Sequence, residues 1–383
     1  MCIVMEISYV HIRTDINYGA MNEKPHFVIL DGLRGVAALM VLVFHVFDVC
    51  SSNLIPHGYL AVDLFFVLSG FVIGYAYDDR WQQGLGVGRF FRRRLIRLHP
   101  MVLVGGLLGG LVFLMQGRTM WDGTEISIGW SALSIVCGML LLPTLPGSSI
   151  EVRGFGEYFP LNGPFWSLFY ESIGNVLYAL LLRHLSNRML AVVAALSGGC
   201  VLHLCLAEGY LGLGWSAADC GWWYGFVRML FPYCVGMLMA RTFKPVLVRH
   251  AFLWCSMLIL AAGFAPAFSA PWANGLYDFL CAALLFPAIV WLAASQNCAD
   301  ERRLRLCRTL GDISYPLYAI HYPLMHILFG CLGFNGELID PCLVANEWPL
   351  ALAIVVGSPL LAWLLFKFYD KPLREWLSTR TRK

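Results

Sequence analysis

The chain has 383 residues, of which 59% are hydrophobic and 13% are charged, and its mean hydropathy is +0.67. A soluble domain carries about 25% charged residues, so the composition excludes a soluble globular protein and indicates one that crosses a membrane several times. The net charge of +3 is small and its Lys and Arg gather in a few loops, which is typical of membrane orientation signals and gives no reason to expect nucleic-acid binding.

Eleven apolar segments follow one another along the chain. They are residues 28–49, 58–77, 100–116, 130–145, 165–183, 189–207, 222–240, 251–270, 276–294, 313–333 and 349–369. A helix that crosses about 30 Å of hydrocarbon needs about 20 residues. The sequence therefore predicts an all-α membrane protein with one membrane-embedded domain at residues 27–372. A polar N-terminal extension, 1–26, is a candidate for disorder, and residues 373–383 form a basic cytoplasmic tail.

Basic residues set the predicted orientation, because Lys and Arg favour the cytoplasmic side of a membrane. Basic loops (79–99, 183–188, 241–249, 301–308) alternate with loops that contain no Lys or Arg (50–57, 208–221, 271–275, 334–348). The alternation of inner and outer loops fails only at segment 130–145, which would have to enter and leave the membrane on the same, outer side. That segment is short and contains Pro143, so we predict a re-entrant or interfacial segment. The prediction is about ten transmembrane helices in a cell (inner) membrane, with both termini cytoplasmic.

The first apolar segment carries two ionisable residues, Arg34 and His45. Eleven steps of about 100° return His45 to within about 20° of Arg34, and a rise of about 1.5 Å per residue separates them by about 16 Å. Ionisable groups inside a bilayer are unfavourable and usually mark a function. The orientation puts Arg34 near the cytoplasmic edge and His45 in the outer third. The alternative is that His45 is a hydrogen-bonded packing residue.

Two carboxylates are predicted to share the depth of His45 in the membrane. Asp63 lies early in the second segment, and Glu171 lies about two turns into the segment that begins at residue 165. A carboxylate can hold the tautomer of an imidazole while the other ring nitrogen removes a proton from a hydroxyl. His45, Asp63 and Glu171 are therefore candidate catalytic residues, although a buried pair that only fixes helix packing is an alternative. Asp48, one turn after His45, is a competing partner.

Two further features bear on chemistry. The basic run from Arg89 to Pro100 indicates membrane orientation and anionic-lipid binding, or a cytoplasmic site where guanidinium groups bind a phosphorylated ligand, with Arg34 reaching toward the same side. His321 lies between Pro316 and Pro323. Prolines in a span free backbone carbonyls and often border cavities, so His321 is an additional candidate, with a packing role as the alternative. The scattered cysteines include no Cys-x-x-Cys motif, and no metal is expected.

Five ordered blocks resemble the integral-membrane acyltransferase-3 family. They are Asp31-Gly-Leu-Arg-Gly with His45, which gives Arg-x10-His; the run from Val62 to Phe71; Arg94-Leu-Ile-Arg97 followed by Pro100; Phe165-Trp-Ser-Leu-x-x-Glu171; and Ser314-Tyr-Pro-Leu-Tyr-Ala-Ile-His321-Tyr-Pro. The match extends from about residue 26 to residue 375. Some members carry an additional C-terminal esterase-like domain, whereas this sequence ends soon after its last apolar segment. We therefore expect the membrane unit to complete the reaction alone or with a partner.

The resemblance implies a ten-helix enzyme that transfers acyl groups other than amino-acyl groups. It would move an acetyl or other short acyl group from cytoplasmic acyl-CoA to a hydroxyl of a carbohydrate, with an exopolysaccharide or other cell-surface glycan favoured. The position matching His45 is regarded as catalytic in the family, and those matching Arg34, Arg94 and Arg97 are expected to bind the donor. Proteins of glycan assembly are candidate partners.

A polytopic transporter or flippase for a glycolipid or a small solute is the alternative function. Proton-coupled carriers also place histidines and carboxylates within the membrane. Many carriers are built from inverted repeats with paired broken helices. The sequence shows no such repeat, which favours the enzyme.

Overall fold

A computed structural model of the chain describes residues 26–48, 54–145, 147–216, 221–246, 248–295, 300–334 and 348–380. The architecture is all-helical, with 77% of the described residues in helices. The described residues form no strand, and two isolated β-bridges join Thr119 to Glu125 and Glu157 to Ser216. The predicted all-α class is confirmed. The extension 1–25 and residues 381–383 of the tail lie outside the described residues, as do residues 335–347 of the outer loop 334–348.

Each of the eleven predicted apolar segments corresponds to one helix. In the described residues these helices are α1 (Val28–Asp48), α2 (Ala61–Gln82), α3 (Val87–Met115), α4 (Ile128–Met139), α5 (Phe165–Leu180), α6 (Asn187–Glu208), α7 (Trp222–Thr242), α8 (Ala251–Phe264), α9 (Pro271–Ala294), α10 (Glu301–Cys331) and α11 (Trp348–Arg380). Single π-helical turns interrupt α9 at Cys281–Leu285 and α11 at Phe366–Asp370.

Six of the described helices are long and apolar enough to cross a membrane, namely α1, α2 with the turn before it, α3, α6, α9 and α11. The protein is a multi-pass membrane protein, whereas the total of ten spans and the cytoplasmic termini stay predictions. Helix α4 has 12 residues, which is about 18 Å at 1.5 Å per residue and shorter than a hydrocarbon core of about 30 Å. Its length agrees with the re-entrant or interfacial segment that the sequence predicts.

Two helices extend beyond the apolar segments that predicted them. Helix α3 begins at Val87 rather than near residue 100, and α10 begins at Glu301 rather than near residue 313. Hydropathy marks only the lipid-compatible part of a helix, while Arg and Leu also favour helix outside the membrane. The prediction of a loop is therefore wrong for residues 87–99 and for residues 301–308. As a consequence, Arg94 and Arg97 project from a helix with a fixed relative geometry.

Glycines on two faces of α3 allow close packing. A β-carbon on Gly105 would collide with the carbonyl oxygen of Ala319 in α10, and one on Gly109 would collide with the carbonyl of Leu161. Gly106 and Gly110 instead face α4, where added β-carbons would lie 2.8 Å from the Met139 nitrogen and 2.6 Å from Ile135 Cγ1. These four glycines thus have the small-residue spacing that lets membrane helices pack closely. Elsewhere α1 packs along α10, and α2 packs along α7.

We expect Gly109→Ala to destabilise the protein by about 1–3 kcal/mol, because the added methyl group overpacks a rigid backbone contact. Gly199→Ala is the matched control, since this α6 glycine has no heavy atom within 4 Å of an added β-carbon. The control should be neutral or more stable by up to about 1 kcal/mol, because alanine has the higher helix propensity. Thermal unfolding in detergent measures both variants. Equal transition temperatures for the two would contradict the packing described here.

Candidate active site

Three cavities adjoin one another within the described helices and loops. The first, which we call the basic cavity, has a volume of about 800 Å³. Six guanidinium groups line it: Arg80, Arg89, Arg92, Arg93, Arg97 and Arg374. None of its lining residues is a carboxylate. Arg374 pairs with Asp370, outside the cavity lining, at 2.7 Å. The dense set of guanidinium groups still favours phosphate binding, because their forked donors match phosphate oxygens.

The second, the middle cavity, has a volume of about 60 Å³ and is lined only by helix residues of α1, α2, α3, α5 and α10. Arg34, Arg94 and Arg97 all reach it, so the structure brings together the three predicted donor-binding arginines. Glu171 also lines this cavity, and its Oε1 accepts a hydrogen bond of 2.9 Å from Arg94 Nη2. Because Arg97 lines both the basic and the middle cavity, these two spaces meet at its side chain.

The third, the histidine cavity, has a volume of about 310 Å³ and contains His45. About half of its wall comes from α1, α2, α5, α7 and α10, and the rest comes from the loops and turn around Tyr59, Glu157, Gly163 and Tyr210–Trp215. The His45 ring centroid lies 5.4 Å from that of His321 and 5.1 Å from that of Tyr322. Arg34 and His45 therefore open onto different cavities, as expected for residues about three turns apart on one face.

His45 has one nearby carboxylate on its own helix. Its Nδ1 lies 3.9 Å from Oδ2 of Asp48, which is too long for a hydrogen bond. The same nitrogen is buried and has no hydrogen-bond partner among the described residues. A buried, unbonded ring nitrogen in a cavity is available to a substrate hydroxyl. Asp48 lines the same cavity and can approach His45 by a change of rotamer.

His321 is held in one tautomer. Its Nδ1 lies 3.1 Å and 3.0 Å from the carbonyl oxygens of Leu317 and Tyr318, so this nitrogen carries the proton and donates it. The Nε2 atom then holds a lone pair, and it is buried without a hydrogen-bond partner in the described part of the chain. The candidate His321 is thus brought beside His45 with an unused acceptor nitrogen.

Asp63 and Glu171 do not line the cavity that contains His45, in contrast to the arrangement predicted from the sequence. Asp63 is 1% exposed and pairs with Arg228 of α7 through contacts of 3.0 Å and 2.7 Å, which occupy both carboxylate oxygens. Arg228 also donates to the carbonyls of Tyr59 and Leu213. Glu171 pairs with Arg94 in the middle cavity. A charged guanidinium donor binds a buried carboxylate more strongly than a neutral imidazole does, which explains both arrangements.

Sequence reasoning missed three groups that line the histidine cavity. Arg228 was detectable in principle, because an arginine within an apolar segment is itself a functional signal. Glu157 lies in the loop before α5, where its Oε1 accepts a hydrogen bond of 3.0 Å from the Tyr322 hydroxyl. Nothing in a connecting stretch rich in glycine and proline indicated that Glu157 and Tyr322 would meet. Among the described residues no group of three or more His, Cys, Asp or Glu side chains could hold a metal ion.

A family model described as an acyltransferase domain matches residues 27–367. The chain belongs to the acyltransferase-3 family. This confirms the resemblance read from the five sequence blocks, and the protein is an acyltransferase. No solved structure matches the chain.

Three relatives illustrate the range of this acyltransferase family. Acyltransferase MdmB of Streptomyces mycarofaciens is 28% identical over 92% of this chain and 92% of its own length. O-acetyltransferase OatA of Staphylococcus aureus is 23% identical over 90% of this chain but 57% of its own length. Protein 2 in the picA locus of Rhizobium radiobacter is 34% identical over 49% of this chain and its whole length. The similarity to MdmB and OatA thus covers nearly all of the membrane domain.

Burial raises the pKa of Glu157 to about 8, and this predicts how the stability of the acyltransferase depends on pH. Between pH 4.5 and 8 the folded state binds a proton at Glu157 that the unfolded state has released. The stabilisation is complete below about pH 4.5 and is lost as pH rises to about 8, by up to ~1.4 kcal/mol per pH unit. Thermal unfolding should show this decline, and Glu157→Gln should flatten it.

Glu125→Gln is the control for that measurement, since Glu125 is an exposed carboxylate of the same region. Its unfolding temperature should follow that of the parent protein at each pH. If Glu157→Gln keeps the parent slope between pH 4.5 and 8, the carboxyl does not carry the expected proton.

Proposed function

We propose that this acyltransferase moves an acetyl or other short acyl group from cytoplasmic acyl-CoA to a hydroxyl of a carbohydrate, in the inner membrane of the cell. The observation that carries the proposal is that the three cavities adjoin one another in a fixed order. The basic and middle cavities share Arg97, and the middle and histidine cavities share Val62 and Tyr318. A donor with an anionic head and a long arm fits this order of arginines, narrow passage and histidine.

The donor half of the proposal rests on charge and shape. The basic cavity would hold the phosphates of acyl-CoA, and the pantetheine arm would extend through the middle cavity past Arg34 and Arg94. The middle cavity, at about 60 Å³, is narrow, so the arm must widen it on binding. The acyl end then points toward His45, which lies about 16 Å beyond Arg34 along α1.

The acceptor half rests on the histidine cavity. Its volume of about 310 Å³ lies at the lower end of the range of ~300–1,000 Å³ for small-molecule sites, and so suits one sugar unit. Amphipathic rings of Trp166, Tyr210 and Trp215 line it beside polar groups. The name of OatA, an O-acetyltransferase, agrees with transfer to an oxygen atom, and the name of MdmB, an acyltransferase, agrees with acyl transfer. An exopolysaccharide or another cell-surface glycan is the acceptor class that we favour.

The chemistry follows from the two histidines. His45 removes the proton of the acceptor hydroxyl, and the oxygen attacks the carbonyl carbon of the thioester. The carbon–sulfur bond breaks, the proton passes from His45 to the sulfur, and CoA leaves as the thiol. His321 accepts a hydrogen bond at Nε2 and would orient the hydroxyl or its neighbour. Asp48 would stabilise the protonated His45 at closer range than the 3.9 Å observed.

The function is tested in vesicles that contain the purified protein. Acetyl-CoA labelled in its acetyl group is supplied on the side of the basic cavity, and a glycan acceptor is supplied on the other side. Covalent label on the glycan supports the proposal. Uptake of acceptor or donor without covalent label would overturn it and would support the transporter alternative.

Arg97→Gln is expected to raise the KM for acyl-CoA about tenfold or more, because a charge-assisted hydrogen bond to phosphate contributes about 1.5–3 kcal/mol. The kcat should change less, since Arg97 lies away from the reacting atoms. Arg188→Gln removes the same charge from the exposed first turn of α6, outside the three cavities. Its kinetics should match the parent enzyme. An unchanged KM for Arg97→Gln would contradict donor binding at this residue.

A further inference from the structure

A thin wall separates the middle cavity from the histidine cavity. Val62 of α2 and Tyr318 of α10 are the two residues that line both spaces among the described residues. Their side chains are 7% and 5% exposed, so each is packed into the protein and also borders both cavities. A molecule that extends from the middle cavity into the histidine cavity where the two adjoin passes these two side chains.

The ring of Tyr318 is fastened in place by its hydroxyl. Its Oη lies 2.6 Å from Ser167 Oγ and donates to the carbonyl oxygen of Pro164 at 3.2 Å. Ser167 Oγ also donates to the Pro164 carbonyl at 3.0 Å. On the other side, the ring packs edge-on against Phe65 with a centroid distance of 5.7 Å. The hydroxyl contacts thus hold the aromatic ring across the passage.

The helix on both sides of Tyr318 lacks backbone hydrogen bonds, which allows the ring to move. Pro323 has no N–H to donate to the carbonyl of Ala319, and Pro316 has none for the carbonyl of Asp312. Asn162 Nδ2 compensates at Ala319 with a hydrogen bond of 2.8 Å. The turn that carries Tyr318 is therefore flanked by two missing helical hydrogen bonds, a common cause of local helix distortion.

We propose that Tyr318 and Val62 form a gate that selects the donor by the length of its acyl chain. The inference rests on the proposed function, in which the acyl end must cross this wall to meet His45. All acyl-CoA donors share the same pantetheine arm, so only the acyl chain distinguishes them at the wall. Each added methylene must either displace the packed side chains or occupy the histidine cavity, where the acceptor binds.

Contacts between Tyr318 and His321 connect the gate to the proposed reacting groups. The carbonyl of Tyr318 accepts the hydrogen bond from His321 Nδ1, and the two rings lie 5.7 Å apart. A ring that swings away from Ser167 therefore moves beside the fixed His321. Tyr318 and Val62 are specificity-determining residues in this proposal, and neither is assigned to the chemistry of the transfer.

The test compares acetyl-CoA with hexanoyl-CoA as donors. We expect Tyr318→Ala and Val62→Ala to raise the ratio of kcat/KM for hexanoyl-CoA to that for acetyl-CoA about tenfold, because a single methylene in a hydrophobic pocket changes discrimination by about 10–200-fold. Tyr318→Phe keeps the ring and removes the hydroxyl, so its ratio should rise less than that of Tyr318→Ala. If Tyr318→Ala does not fold, Val62→Ala decides the test.

Val72→Ala is the matched control, since Val72 lies on the same helix and lines the middle cavity alone. The pantetheine arm would lie there for every donor, so the ratio should stay at the parent value. An unchanged ratio in folded Val62→Ala, with acetyl transfer intact in the parent enzyme, would overturn the gate alone. Absence of transfer from either donor in the parent enzyme would instead overturn the proposed function.

Discussion

Acyl transfer by the His45→Ala variant is expected to fall by a factor of about 10²–10⁴, which is the contribution of a positioned general base. His45 lines the histidine cavity, and its buried Nδ1 has no hydrogen-bond partner among the described residues. Removal of the ring therefore breaks no described hydrogen bond at that atom, and we expect folding to persist. The loss should appear in kcat, because the ring acts on the transition state rather than on the docked donor.

His203→Ala is the control for this experiment, since His203 is exposed on α6 and lines none of the three cavities. It should insert, fold and transfer acyl groups like the parent enzyme. Elution of the protein from a size-exclusion column in detergent verifies folding, and transfer is measured with labelled acetyl-CoA. If His45→Ala transfers acetyl groups at the parent rate, His45 is not the base and the mechanism is wrong.

Replacement of Arg228 by methionine is expected to lower the free energy of unfolding by about 3–5 kcal/mol, because it leaves the carboxylate of Asp63 buried without its partner. The two side chains are 2% and 1% exposed, and the shorter contact is 2.7 Å. Arg303→Met is the control. It removes one partner of an ion pair whose side chains are 43% and 47% exposed, for which we expect about 1 kcal/mol or less.

The double variant Asp63→Leu with Arg228→Met separates a structural role of Asp63 from a catalytic one. Apolar replacement of both members of a buried pair is often neutral for stability, so most of the lost stability should return. If the double variant folds and still transfers acyl groups, Asp63 has no essential part in the chemistry. If it folds and transfers none, the transfer requires the Asp63–Arg228 pair, since Arg228 also lines the histidine cavity. Thermal unfolding and the acetyl-transfer assay provide the two measurements.

The sequence predicts the helices well because membrane insertion depends on local composition. An apolar run of about 20 residues satisfies its own backbone hydrogen bonds as a helix in lipid, whatever its neighbours are. The start of α3 was missed for the same reason, since the arginines before residue 100 are helical yet unsuited to lipid. The glycines of α3 from Gly105 to Gly110 carry local information too, because a spacing of four residues places two of them on each packed face of the helix.

In the candidate site, too, the features that depend on local sequence were predictable, and those that depend on contacts between distant residues were not. The relation of Arg34 to His45 depends on helical geometry alone and was predictable. The partners of Asp63 and Glu171 depend on how α2, α5, α3 and α7 rotate about their axes, which no local pattern specifies. Asp63 pairs with Arg228, which is 165 positions away in the sequence, and Glu171 pairs with Arg94, which is 77 positions away.

The middle cavity and the histidine cavity have different kinds of wall, and this difference affects how the substrates of such enzymes can change in evolution. The middle cavity is enclosed only by packed helices, whereas loops form much of the histidine cavity, including Glu157, Gly163 and Trp215. Loops accept substitutions and insertions far more readily than packed helices do. On the proposed function, new acceptors can therefore be acquired by changes in these loops while the passage for the donor is kept. Exchange of the loops between relatives is then a route to redirect acylation to another acceptor.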